Sequence, residues 1–149
     1  MIEVRGDLWR YLDRPWYQLL ITTNGSIRRD GHGVMGRGCA REALDRWPEL
    51  GLVLGKSIRA FGNTVQLLSD THRIWSFPVK HQWSKPADLD LIRKSTEQLR
   101  ALAMASSNEH EDWTWVLPRP GCGCCKLTWV GVVEPIVSVL PDNVLVITR

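Results

Sequence analysis

At 149 residues, with 44% apolar and 23% charged residues, the chain is long enough for one hydrophobic core and too mixed for a fibrous or disordered protein. The formal net charge of +3 permits an anionic ligand or nucleic acid, yet no basic tail of the kind that coats polyanions is present. No apolar leader follows Met1 and no apolar run is long enough to span a bilayer, so a single cytoplasmic domain over 1–149 with no membrane partner is the expectation.

Ile2 to Val4 alternates apolar and charged residues as a half-buried strand does. Gly6-Asp7-Leu8-Trp9 breaks that pattern, and Arg14-Pro15 marks a turn. Trp16 to Thr23 is rich in aromatic and β-branched residues and reads as a strand buried on both faces. Ala40 to Trp47 has helical spacing and ends at Pro48. Between Leu50 and Gly62 the pattern is ambiguous: Leu52 to Leu54 reads as short helix or loop, and Ile58 to Phe61 as strand. Asn63 to Asp70 and Ile74 to Val79 read as a hairpin turned by Asp70-Thr71-His72-Arg73. Pro78 predicts that the second strand leaves central ladder bonding there. Ala87 to Ser106 is the clearest helix, with acidic residues in its first turn and Pro86 at its start. Trp113 to Leu117 is a strand. A helix from Trp129 to Leu140 follows, capped by Thr128 and either kinked at Pro135 or started late there. Val144 to Thr148 closes the chain as a strand. Strands alternating with helices around one hairpin predict an α/β fold: a three-layer α/β/α domain on a mixed sheet.

Two stretches stand out. Gly31-His32-Gly33-Val34-Met35-Gly36-Arg37-Gly38 follows one strand, and Pro118-Arg119-Pro120-Gly121-Cys122-Gly123-Cys124-Cys125 follows another. Glycines allow positive φ and remove the Cβ between main chain and ligand. Inward-pointing amides in such loops cradle anions, and a helix start adds its own free N–H groups. In α/β sheets these loops lie at the carboxyl ends of strands, where ligands bind. Two of them suggest a ligand with two phosphates. One loop alone would read as a tight connection.

Cys39, Cys122, Cys124 and Cys125 do not make a secreted disulfide framework, and no second cluster completes a metal set. Reduced thiols lining a loop are expected, with no metal and no cofactor. The eight tryptophans suit core and pocket walls.

Gly6-Asp7-Leu8-Trp9, Ile21-Thr22-Thr23-Asn24, Gly33 to Ala40, Phe77-Pro78-Val79-Lys80 and Leu117 to Gly123 with Leu127-Thr128-Trp129 occur in an order that resembles the macro domain. The branch of terminal ADP-ribose glycohydrolase and DNA ADP-ribosyl glycohydrolase antitoxins is the most similar. The resemblance implies an ADP-ribose site. Asp7 would meet the adenine amino group and Leu8 its neighbouring edge. Asn24 would lie near the distal ribose. Gly33, Val34, Met35, Gly36, Arg37 and Gly38 would wrap the diphosphate, and Pro118, Gly121, Cys122, Gly123, Cys124 and Cys125 would close over it.

In that branch a lysine ending the middle strand attacks the anomeric carbon, and Lys80 matches it. A neutral amine is a sound nucleophile for such a carbon, and burial or a neighbouring cation such as His81 would favour the neutral form. The glycohydrolase completes its reaction with an aspartate, where Cys125 stands here. The partners implied are ADP-ribose or an ADP-ribosylated macromolecule. With nucleic acid as acceptor, Arg28, Arg29, Lys85 and Arg119 could meet phosphates and Trp83 could stack on a base. The resemblance points to hydrolytic removal of ADP-ribose from nucleic acid or protein. Alternatives are a non-catalytic binder or sensor of ADP-ribose or a related nucleotide, and an ADP-ribose 1″-phosphate phosphatase.

Overall fold

The structure, a computed structural model, describes residues 1–149. Six strands form one sheet: β1 (Ile2–Arg5), β2 (Tyr17–Asn24), β3 (Leu67–Ser69), β4 (Ile74–Lys80), β5 (Thr114–Pro118) and β6 (Val144–Thr148). Their order is β1-β6-β5-β2-β4-β3. Every neighbouring pair is parallel except the β3–β4 hairpin at one edge. The mixed sheet therefore presents the carboxyl ends of five strands along a single edge.

Side chains alternate across a strand, and that alternation divides the core in two. Leu20, Phe77, Val79, Trp115, Leu117, Val144 and Val146 pack with α3 (Leu89–Glu109) and the segment ending in α4 (Glu134–Val137). Leu19, Ile21, Ile74, Val116 and Ile147 face α1 (Gly38–Arg46), α2 (Leu50–Phe61) and the 3-10 turn Leu8–Asp13. Helices thus cover both faces, as the alternating pattern predicts. Phe77 and Leu99 are wholly buried, each removal from water being worth about 1.5–3 kcal/mol.

Helix α3 begins where its sequence signals do. Asp88 accepts the Leu91 N–H at 3.0 Å, and this bond holds the carboxyl below its usual range. Its buried Ser95 donates to the Pro78 carbonyl at 2.7 Å, tying the helix to β4. Pro78 costs the sheet no bond. Ser76 donates outward to Gln66 at 2.8 Å, and Pro78, two residues on, faces the same side past the end of β3.

Three expected elements differ. Ile58 to Phe61, expected as a strand, is the last turn of α2. Leu50, Leu54 and Ile58 recur at helical spacing and pack inward, which overrides the strand preference of Ile58 and Phe61. The expected strand Asn63 to Asp70 shrinks to Leu67–Ser69. After Thr128 no helix starts at once. Val130 has ψ 125° and Gly131 φ 75°, so regular helix begins only at Glu134, with Pro135 in its first turn. The Thr128 side chain caps nothing. The late start at Pro135 is the correct alternative, and the second glycine loop has no long helix dipole behind it.

Candidate functional site

A cleft of about 1010 Å³ opens at the carboxyl edge of the sheet. Both glycine loops form its walls, and Val79 and Lys80 at the end of β4 line it as well.

The first loop leaves β2 at Asn24. That side chain is spent on shaping the loop: its amide donates to the Val34 carbonyl at 3.0 Å, and its oxygen accepts the Ser26 N–H at 3.0 Å. A backbone bridge joins Ile27 to Gly33. Helix α2 supports the loop from below, since a Cβ on Gly33 would meet Leu54 at 2.7 Å. Met35 is buried, whereas Gly36 is exposed with open space around it. The loop delivers the chain to α1 at Gly38, whose φ is 60°. No side chain caps α1, and Gly38, Cys39 and Ala40 at its first turn all line the cleft. First-turn N–H groups have no intrahelical acceptor, so they are open to an anion.

The second loop follows Pro118. Gly121 has φ 74°, and a Cβ there would meet Leu127 at 2.7 Å. Leu127 N–H donates to the Gly121 carbonyl at 2.7 Å and closes the loop. Cys122 and Cys125 are half-buried, Gly123 and Cys124 exposed.

Lys80 ends β4 and has a pinned backbone. Its carbonyl accepts from Gly25 N–H at 3.2 Å and from the Asn63 amide at 2.9 Å. Its side chain lines the cleft and forms no salt bridge. His81, expected as a candidate neighbouring cation, points elsewhere: its Nε2 lies 3.4 Å from Asp88 Oδ2, and it is absent from the cleft wall. Cys39 is the most shielded thiol. It contacts Thr22 N and Oγ1, each at 3.4 Å, and burial pushes its pKa up.

At the far end Leu8 lines the cleft, but Asp7 does not. The Asp7 carboxylate instead accepts the Trp9 N–H at 3.2 Å and starts the 3-10 turn. Three residues outside the sequence-based set join here. Glu42 accepts from Trp9 Nε1 at 2.8 Å and from Arg149 Nη2 at 2.6 Å. Trp129 Nε1 donates to Glu3 at 3.0 Å and carries the Arg119 guanidinium on its ring. Glu42 lies one turn into α1 from Gly38, a spacing that could have marked it. Arg149 carries no local signal at all. Of the residues suggested for nucleic acid contact, Arg119 is paired with Glu3, Arg28, Arg29 and Lys85 are exposed outside the wall, and Trp83 lines it while 62% exposed.

The charge of the wall is one-sided. Arg37, Lys80, Arg119 and Arg149 line it against one carboxylate, Glu42. Such a cleft favours an anionic ligand.

No protein-family model matches the sequence, and a search of curated proteins finds no match. Among solved structures the chain is similar to the macrodomain of Mycobacterium tuberculosis DarG, at 24% identity and a TM-score of 0.74 over 99% of this chain and 97% of that one. The macrodomain of Thermus aquaticus DarG matches at 23% identity and 0.69, with the same coverage. Thermosipho africanus DarTG in complex with ADP-ribose matches at 17% identity and 0.69, over 99% of this chain and 42% of that one. The chain has the macrodomain fold.

Proposed function

We propose that the cleft binds ADP-ribose and that Lys80 is the nucleophile in its hydrolytic removal from a nucleic acid or protein. The observation that carries this reading is the setting of Lys80. It is an unpaired amine on a rigid strand end, in a cleft walled by two glycine loops able to hold a diphosphate. The uncapped first turn of α1 supplies main-chain donors on one side, and the second loop closes the other. The Thermosipho relative is described in complex with ADP-ribose, which supports the same ligand here.

In the proposed reaction the Lys80 Nζ lone pair attacks the anomeric carbon of the distal ribose. The bond to the acceptor breaks, and the acceptor leaves with a proton. The glycosylamine left on Lys80 opens: its ring C–O bond breaks, the nitrogen lone pair forms an iminium and the ring oxygen takes a proton. Water then adds to the iminium carbon and the C–N bond breaks, releasing ADP-ribose and the free amine. With a nucleic acid acceptor, exposed Trp83 at the cleft mouth offers a face for a base.

One observation favours a second reading, binding without turnover. Glu42 is the only carboxylate in the wall, and Trp9 and Arg149 already occupy it. Cys125 stands where the resemblance would put an aspartate.

The test combines calorimetry with turnover. Wild type and Lys80→Ala are titrated with ADP-ribose, then mixed with ADP-ribosylated DNA, ADP-ribosylated protein and ADP-ribose 1″-phosphate. Binding by both proteins, with release of ADP-ribose only by wild type, is expected. Binding with no turnover of any substrate leaves the binder reading. Loss of phosphate from ADP-ribose 1″-phosphate alone moves the reaction to a phosphatase. No binding by either protein defeats the ligand assignment.

A further inference from the structure

Neither the proposed binding nor the proposed reaction uses the thiols of the second loop. Cys122-Gly123-Cys124-Cys125 places two cysteines three residues apart, a spacing that recurs in redox-active dithiols. All four cysteines are free. The main chain bends twice around this pair. Cys122 N–H donates to the Arg119 carbonyl at 3.3 Å, and Lys126 N–H donates to Gly123 at 3.1 Å with Lys126 at φ 59°. Residues three apart reach about 10 Å at full extension, and a disulfide spans about 4.4–6.8 Å. The Leu127 N–H bond to the Gly121 carbonyl at 2.7 Å closes both cysteines into one short loop, so the chain between them is bent rather than extended. Orientation agrees. Cys122 and Cys125 pack against the same apolar cluster beneath the loop, while Cys124 between them is exposed.

We infer that Cys122 and Cys125 form an oxidisable dithiol in the cleft wall, closed to a disulfide by a hydroperoxide and reopened by a thiol reductant. Burial raises the Cys122 pKa, so Cys122 takes the resolving role and Cys125 reacts first. The Cys125 thiolate attacks the hydroperoxide and the O–O bond breaks. An alcohol leaves, or water when the oxidant is hydrogen peroxide, with sulfenic acid on Cys125. The Cys122 sulfur then displaces the sulfenic oxygen as water, its own proton going to that oxygen. Two electrons pass from the two thiols to the peroxide. The new bond fixes both side chains in one geometry and reshapes Gly121 to Lys126, one wall of the cleft.

The test treats the wild-type protein with hydrogen peroxide, digests it without reductant and maps the peptides. Expected is a peptide with Cys122 joined to Cys125, loss of two free thiols, and full recovery with dithiothreitol. Hydrogen exchange across 119–129 is expected to change between the two forms. A link from either residue to Cys39 or Cys124, or oxidation that stops at sulfinic acid, overturns the inference, and so does an unchanged exchange pattern. The effect on ligand rests on the ADP-ribose reading and is read separately. Oxidised protein is expected to bind ADP-ribose about tenfold more weakly than reduced protein. Peroxide is expected to leave the affinity of Cys125→Ser at its own untreated value. A crosslinked protein that binds no ADP-ribose in either form defeats the ligand reading and leaves the dithiol standing.

Discussion

Cys124 of the second glycine loop lies against Gly38 of the first: a Cβ on Gly38 would meet the Cys124 Sγ at 3.4 Å. The two walls of the cleft therefore touch at one point, and Gly38 stands there with φ 60°. Gly38→Ala is expected to cost about 1 kcal/mol from the left-handed backbone alone, and to weaken ADP-ribose binding. Cys124→Ala added to Gly38→Ala should restore nothing, because 3.4 Å is ordinary van der Waals contact and the cost is the backbone's. Denaturant unfolding of the three proteins checks this. A Gly38→Ala variant as stable as wild type would show that φ at this position is not enforced.

Gly55 and Gly36 should respond in opposite ways to the same change. Gly55 lies inside α2, where alanine normally stabilises by about 1 kcal/mol. Here its Cβ would sit 1.8 Å from the Gly31 carbonyl oxygen, so Gly55→Ala must push the helix off the first loop. A loss of about 3 kcal/mol is expected, at the upper end of overpacking. Around Gly36 there is nothing within 4 Å, and Gly36→Ala should unfold like wild type. Because Gly36 lines the cleft, that variant should still lose ADP-ribose affinity by calorimetry. Equal melting temperatures for Gly55→Ala and wild type would contradict the packing of α2 on the loop.

That contrast shows what the sequence could and could not reveal. Both glycine loops were visible because glycine clusters are local, α3 because its pattern is periodic over many residues, and β6 because it is a short unbroken apolar run after a turn. Gly55 was not visible as a packing glycine, because its partner Gly31 lies far away in the chain. The same limit hid the true nature of Ile58 to Phe61, whose helical state depends on burial against the sheet. It also hid Glu42, whose partners Trp9 and Arg149 come from opposite ends of the chain. The start of the last helix stayed open between Trp129 and Pro135 for a different reason. Val130 and Val132 supply apolar residues in helical order, but Gly131 takes positive φ and delays the helix to Glu134.

Glu42 joins the 3-10 turn, α1 and the last residue of the chain through one carboxylate. Glu42→Ala removes the acceptor for Trp9 Nε1 and for Arg149, and should cost about 1–2 kcal/mol in unfolding. It also leaves the Arg149 guanidinium free at the end of the cleft. ADP-ribose affinity should then rise or stay level at low salt, even as stability falls. A parallel drop in both would instead mean that Glu42 contacts the ligand.

The thiols supply a pH test with a definite sign. Burial is the main cause that raises the Cys39 pKa above the ordinary thiol value of about 8.5. The folded state therefore keeps this proton after the unfolded state has lost it. The associated stability is fully present below the unfolded value and is lost as pH rises toward the folded one. The denaturant midpoint of wild type should fall above pH of about 8.5. In Cys39→Ala the fall should be shallower, because no proton remains at that position to be lost. Iodoacetamide at neutral pH should label exposed Cys124 first and Cys39 last, read by peptide mass. Labelling of Cys39 before Cys124 would mean that the contact with Thr22 opens readily in the native state, and the alkaline loss of stability would then have to come from another group.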